Sequence, residues 1–273
     1  MISVLIPTHN RENTLKRAID SVLNQSLKAR EIIVVDDGSS DKTEDILKSY
    51  EADIRVISQK NSGVSSARNR AIKDSSCKYI ALLDSDDMFL EQKLELQLNF
   101  HLQNPHIKIS HSDEIWIREN KEIKQPKSYK REAGFLFESF LPFCKLSPST
   151  VMLNREIFDR VGYFDESFSV CEDYDFWLRC ALEFEIGVIN TPLTKKFDGE
   201  KNQLSHNGVF KDIFRIKALE KHIESRYKKA VLKELTKKIT IVLKGAKKRE
   251  NRELIEIFEP KLINYQTLLQ NLT

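Results

Sequence analysis

The apolar run YIALL, residues 79–83, ends in Asp84, Ser85, Asp86 and Asp87. Carboxylates packed this closely repel, and each resists ionisation unless a cation stands near. A single Asp at a strand-to-helix turn is accounted for by capping of the next helix, but capping does not need three. A divalent cation with oxygen ligands relieves the repulsion. Mg2+ takes one or two carboxylates and completes its shell with water and phosphate oxygens. An Asp-x-Asp at the tip of a strand therefore suits a metal–diphosphate site. A second acidic pair, Asp36 and Asp37, closes another apolar run, EIIVV. A third group, Glu172, Asp173 and Asp175, opens the stretch EDYDFWLRCALE. Acids at a helix start are favoured by the helix dipole alone. Beside a diphosphate–metal site, one of them also suits a general base that takes the proton of an attacking hydroxyl.

The elements that must position these groups alternate. ISVLIP, EIIVVDD, IRVIS and KYIALLD read as strands, and ENTLKRAIDSVLNQ, SDKTEDILKSY and GVSSARNRAIKD read as the helices between them. Near-continuous Val, Ile and Leu in strands that alternate with helices predicts a mostly parallel α/β sheet covered on both faces. In such sheets ligands bind beyond the carboxyl ends of the strands. Those ends read Thr8-His9-Asn10, Asp36-Asp37-Gly38, Gln59-Lys60-Asn61 and Asp84-Ser85-Asp86-Asp87, so polar and acidic residues collect on one rim. After residue 113 the alternation weakens into a hairpin around Glu119-Asn120, a strand and short helix with a turn at Gly162, the helix opened by Glu172, and last strands in IGVINTPLTKKF. From about Val209 the chain is almost all helix former.

Composition narrows the class. The chain has 273 residues, 40% hydrophobic and 31% charged, enough for a sizeable core, and its net charge of +3 names no partner. No apolar run approaches the length of a membrane span, and MISVLIPTHN reads as a strand rather than a signal peptide. The cytoplasm is the expected location. Cys77, Cys144, Cys171 and Cys180 lack metal-ligand spacing and read as reduced thiols.

The segments VLIPTHNR, IIVVDDGSSDKT, NSGVSSARNRAI and YIALLDSDD, followed by CEDYDFWLR, resemble the family 2 glycosyltransferases of GT-A fold. The resemblance covers residues 1 to about 205. It implies a Rossmann-like catalytic domain over residues 1–205 with a helical C-terminal extension over 206–273. It also implies an inverting transfer from a nucleotide-diphosphate sugar, a UDP-sugar by expectation, to a glycan or lipid-linked hydroxyl, with Mn2+ or Mg2+. On that basis Asp86 is the metal ligand, with Asp84 and Ser85 beside it toward the ribose. Thr8, Asn10, Asp36 and Asp37 belong to the nucleoside pocket, and which aspartate faces it stays open. Gly63 allows close backbone approach. Arg68 either faces the donor or makes a structural ion pair. Asp173 is the expected base, Glu172 stands next to it, and Asp175 supports the helix start. Trp177 is a core residue by spacing or a sugar platform.

The pattern departs where many relatives carry a His after the last strands. Glu200 or His206 takes that position here, and Lys196 is placed to approach the diphosphate. Further on, Val231, Leu232, Leu235, Ile239, Val242 and Leu243 recur at helical spacing in a basic segment. This reads as a helix packed on the core, or as a basic amphipathic helix in peripheral contact with an anionic membrane. Competing classes are a sugar-nucleotide nucleotidyltransferase, which needs a glycine-rich phosphate loop that IPTHNRENT lacks, and a nucleotide-sugar binding module without turnover. Nucleic acid is not an expected partner, because no aromatic platform interleaves the basic residues.

Overall fold

The computed structural model describes residues 1–126, 129, 131–199 and 211–272. Strands β1 (Ile2–Thr8), β2 (Glu31–Asp36), β3 (Arg55–Ser58) and β4 (Tyr79–Leu82) alternate with helices α1 (Leu15–Leu23), α2 (Thr43–Lys48) and α3 (Val64–Asp74). Then follow β5 (Met88–Phe89), α4 (Lys93–Gln103), β6 (Ile109–Arg118), β7 (Lys121–Ile123) and α5 (Phe137–Phe140). A 3-10 turn over Pro148–Thr150 leads into β8 (Val151–Asn154), α6 (Ile157–Val161), α7 (Glu172–Glu183) and β9 (Ile186–Asp198). Helices α8 (Lys211–Glu220), α9 (Lys228–Lys248) and α10 (Arg252–Gln270) complete the described chain.

One sheet runs in the order β3-β2-β1-β4-β8-β6-β9-β5, with β7 hairpinned on β6. The pairs β3–β2, β2–β1, β1–β4 and β6–β9 are parallel, and β8 is antiparallel to both β4 and β6. The expected mostly parallel sheet is present. Thr8 lies level with Asp36, and Asp36 with Ser58, so the carboxyl ends form one rim.

Both faces of the sheet are buried, as the continuous apolar strands require. Side chains alternate across each strand. Leu5, Ile33, Val35, Ile80 and Leu82 enter one core with Ala67, Ala71 and Ile72 of α3 and Phe176 and Leu178 of α7. Val4, Ile6, Ile32 and Val34 enter the other with Leu15, Ala18, Ile19 and Val22 of α1.

The apolar stripe of α9 does not face outward. Val231, Leu232, Leu235, Ile239 and Leu243 are buried in the core that also holds Phe137, Tyr174 and Trp177. Packing on the core is therefore what this stripe does, and the alternative in which it lies on lipid loses its apolar face. Among the described residues no helix is long and apolar enough to cross a membrane. The boundary expected at residues 205 and 206 lies outside the described residues. All four cysteines are free, as expected of thiols.

Candidate active site

A cavity of about 580 Å³ opens at the carboxyl rim of β1, β2 and β4, facing the start of α7. Its volume lies within the range of small-ligand sites. One wall is built from the ends of β1 and β2. Asp37 is buried, and its Oδ1 accepts from Gln59 Nε2 at 2.8 Å and Ser62 N at 2.9 Å, while its Oδ2 accepts from Gly63 N at 2.8 Å. This carboxylate ties the β3–α3 loop to the β2 end. Asp36 does not line the cavity, and its Oδ1 accepts from Ser39 N at 3.0 Å and Ser39 Oγ at 2.6 Å. Of the two aspartates, Asp37 is the one at the cavity wall.

Asn10 holds the same wall, accepting from Ser40 N at 2.8 Å through Oδ1. Thr8 is buried, lines the cavity, and has no hydrogen-bond partner at its hydroxyl among the described residues. Gly63 begins α3 with φ 92, and a Cβ there would meet no atom within 4 Å, so the position is open toward the cavity but costly for any other residue. Gly38 is constrained differently: at φ 73, a Cβ would sit 2.8 Å from Asn61 N.

The acidic tip follows β4. Ser149 braces it by accepting from Asp84 N at 3.1 Å and donating to Asp87 Oδ2 at 2.6 Å. Asp87 is buried, and its Oδ1 also accepts from Phe197 N at 3.2 Å. Burial first, and then the neighbouring Asp86 carboxylate, push Asp87 well above the usual carboxylate range. Asp87 therefore shapes the turn, while Asp84, Ser85 and Asp86 line the cavity with it. Arg17 donates to the carbonyl of Asp86 and stacks 3.5 Å over the ring of Phe197.

Arg68 joins the two acidic segments. Its Nη2 donates to Asp84 Oδ1 at 2.7 Å and its Nη1 to Glu172 Oε1 at 2.6 Å, with 4% of its side chain exposed. Burial works against its charge, but Asp84 and Glu172 hold the guanidinium above its ordinary value. Of the two roles open to Arg68, the contacts are those of the ion pair. Burial raises Glu172, and Arg68 opposes that shift.

Cys171 takes a left-handed φ of 61 and turns the chain into α7, so that Glu172 and Asp173 stand at its start. Asp173 lines the cavity half-buried. Its Oδ1 accepts from Tyr174 N at 2.7 Å, and its Oδ2 accepts from the Cys144 thiol at 3.4 Å. Burial, then the charge of Asp173, push Cys144 well above the ordinary thiol range, and burial takes Cys171 up to about 12. Both remain thiols at neutral pH.

Lys196 of β9 reaches the same cavity, half-buried. Burial would lower it, but Glu114, Asp87, Asp84 and Asp173 together hold it charged above its ordinary value.

Two expectations change. Trp177 is 1% exposed, set edge-on against Phe176 and Phe164, and does not line the cavity. It is core, because the face of α7 that carries it points into the sheet rather than to the rim, so the sugar-platform reading is withdrawn. Asp175 does more than open the helix: it is fully buried and pairs with Arg179 at 2.9 Å and Lys221 at 2.6 Å, fastening α7 to the end of α8. Glu200 and His206 lie outside the described residues.

The sequence reading missed His9, Cys144 and Arg215, all at the cavity. His9 was visible as the middle of the first strand end. Cys144 and Arg215 sit in stretches with no motif, and only the fold brings them here.

Among the described residues no group of three or more His, Cys, Asp and Glu side chains forms a ready metal cage. Asp87 is engaged with Ser149 and Phe197, and Asp84 Oδ1 with Arg68, while Asp84 and Asp86 both line the cavity at the tip. One or two carboxylates is the set that Mg2+ takes when a ligand's phosphates complete its shell. The residues fit such an ion.

Comparison with known proteins bears on the whole arrangement. The family model for glycosyl transferase family 2 matches residues 3–162. An uncharacterized glycosyltransferase of Rickettsia bellii is 37% identical over 196 residues, which are 71% of this chain and 28% of that protein. This chain spans less than two thirds of several such Rickettsia relatives, 58% of that from Rickettsia prowazekii. The UDP-Glc:alpha-D-GlcNAc-diphosphoundecaprenol beta-1,3-glucosyltransferase WfgD of Escherichia coli is 30% identical over 218 residues, covering 79% of this chain and 83% of WfgD. The crystal structure of S. aureus TarS 1-349 in complex with UDP-GlcNAc superposes with a TM-score of 0.65 at 19% identity, covering 88% of this chain and 81% of that one. That likeness establishes a shared fold, the GT-A arrangement that the sequence resemblance implied. With its family model matched from the first strand to the turn after α6, the chain belongs to glycosyl transferase family 2.

Proposed function

We propose that this chain is an inverting glycosyltransferase that moves a sugar from a nucleotide-diphosphate sugar, of the UDP class, to a hydroxyl of a glycan or lipid-linked acceptor. The observation that carries the reading is that Asp84, Ser85 and Asp86 line the same cavity as Asp173. The relatives support the choice of donor and acceptor: WfgD is named for a UDP-glucose donor and a diphosphate-linked lipid acceptor, and TarS is solved with UDP-GlcNAc.

On this reading the nucleoside lies against Thr8, Asn10, Asp37 and the open edge at Gly63. The unpartnered Thr8 hydroxyl then finds a partner in the ligand. Asp86, with Asp84, would hold Mn2+ or Mg2+, which when bound supplies Lewis-acid neutralisation of charge on the diphosphate. Asp173 takes the proton from the acceptor hydroxyl as its oxygen attacks the anomeric carbon. Its Oδ1 is fixed by the Tyr174 amide and its Oδ2 by the Cys144 thiol, so the carboxylate is held in one orientation before the acceptor arrives. Lys196, kept charged by its acidic neighbours, stands near the diphosphate. Arg68 keeps the tip and the α7 start at a fixed separation. A single displacement inverts the anomeric centre and needs no nucleophilic Ser or Cys, in keeping with two cavity cysteines that stay protonated.

The test is calorimetric titration of a panel of nucleotide sugars with Mn2+ present and absent. At least one UDP-sugar binds in the presence of Mn2+, and D86N weakens that binding about tenfold or more, the worth of a lost charge-assisted contact. Binding that is absent across the panel, or that ignores both Mn2+ and D86N, contradicts the reading.

A further inference from the structure

The cavity wall made by α7 and α8 carries more positive charge than the donor chemistry uses. Beyond Lys196, which the donor reading uses, Lys211 and Arg215 line it, together with Glu172, Asp173 and the uncharged Cys144, Val170, Cys171 and Tyr174. Arg215 projects from the second turn of α8. Its Nη1 donates to Asp212 Oδ1 at 3.1 Å, but its Nε is buried and has no hydrogen-bond partner among the described residues. A buried N–H without an acceptor is a cost that the folded chain carries unless a ligand relieves it. Burial opposes the charge of Arg215, and the Asp212 carboxylate beside it favours that charge. A planar guanidinium with an unpartnered N–H, one helical turn from the Lys211 ammonium on the same wall, is an arrangement that recognises phosphate.

We propose that Arg215 and Lys211 form an anion subsite for a phosphoryl group carried by the acceptor. The assignment rests on the reading above, in which the donor diphosphate lies at the Asp84–Asp86 tip and the acceptor hydroxyl at Asp173. Arg215 lines the cavity with Cys171 and Tyr174, the residues that flank Glu172 and Asp173 in sequence, so its charge lies on the wall that carries the base. An acceptor whose phosphate docks on α8 presents its sugar hydroxyl to Asp173. The helix that follows the catalytic sheet thereby becomes the reader of the acceptor, and a neutral glycan of the same sugar is a poor substrate.

The donor diphosphate has the same chemistry, so the experiment separates the two sources. The protein is saturated with UDP and Mn2+, then titrated with decyl diphosphate, with decyl maltoside as the phosphate-free control. The expected result is that decyl diphosphate binds the UDP-loaded protein and the maltoside does not. R215Q and K211Q each weaken decyl diphosphate about tenfold or more, R215K weakens it less, and UDP affinity stays within about twofold. Thermal melting identifies any variant that fails to fold. Should R215Q be one, K211Q and R215K supply the readout. The proposal is overturned if decyl diphosphate competes with UDP, if it fails to bind, or if the folded variants bind it as well as the unaltered protein does. If UDP itself does not bind, the donor reading fails separately, and the same titration on the free protein still decides the subsite.

Discussion

Arg68 is bonded to carboxylates from two distant segments, Glu172 standing 104 residues away in sequence and Asp84 16. Because the guanidinium is buried, its removal leaves Glu172 and Asp84 facing each other without compensation. Breaking a buried pair in this way costs roughly 3–5 kcal/mol. R68M is therefore expected to lower the urea midpoint strongly and to weaken UDP-sugar binding with it. A midpoint shift worth under about 1 kcal/mol would show that the two acids do not depend on Arg68. Most of the cavity residues are legible in the sequence, because strand ends and Asp-rich turns announce themselves locally. The partner of each one is less so. Nothing local distinguishes an arginine that faces a ligand from one that faces two carboxylates. Trp177 likewise shares a helical face with Phe176 and Cys180 in the sequence, but the side on which the core lies is decided by the sheet.

At the scale of elements, the turn after α8 and strand β6 carry buried histidines. His222 packs edge-on to Phe137 with its Nε2 unpartnered, and burial lowers it from 6.5 to about 4. His111 on β6 is lowered from 6.5 to about 4 by the same cause. Between these values the unfolded chain binds protons that the folded chain refuses, so stability rises with pH across the window. The stabilisation is complete above about 6.5 and is lost as pH falls toward 4, at up to about 1.4 kcal/mol per pH unit per histidine. Urea denaturation at a series of pH values is expected to show this slope, and H222F to reduce it. A slope that H222F leaves unchanged would remove His222 from the account. The elements around the site were readable where the pattern is continuous. EIIVVD and YIAL are strands, and EDYDFWLRCALE is helix α7 from end to end. Strand β9 was harder, because Pro192 and a register shift beside Asp113 break its period, and the two-residue β5 has no period to read.

For the whole molecule, the parallel half of the sheet follows from local alternation, but the order β4-β8-β6-β9 does not. Those pairings join segments far apart in sequence, and a strand's own residues do not specify a distant neighbour. The same limit applies to α9, whose apolar stripe is plain in the sequence while its burial between α8 and α10, in the core that α5 and α7 share, is not. What the complete fold adds is convergence: the tip after β4 and the start of α7, some ninety residues apart, meet across one cavity. The most direct test of that convergence is the D173N variant, assayed for UDP-sugar binding with Mn2+ and for sugar transfer on the same preparation. The account predicts donor affinity close to that of the unaltered protein and transfer lower by about two orders of magnitude or more, in kcat rather than KM. Transfer at the original rate, or loss of donor binding together with activity, would contradict it.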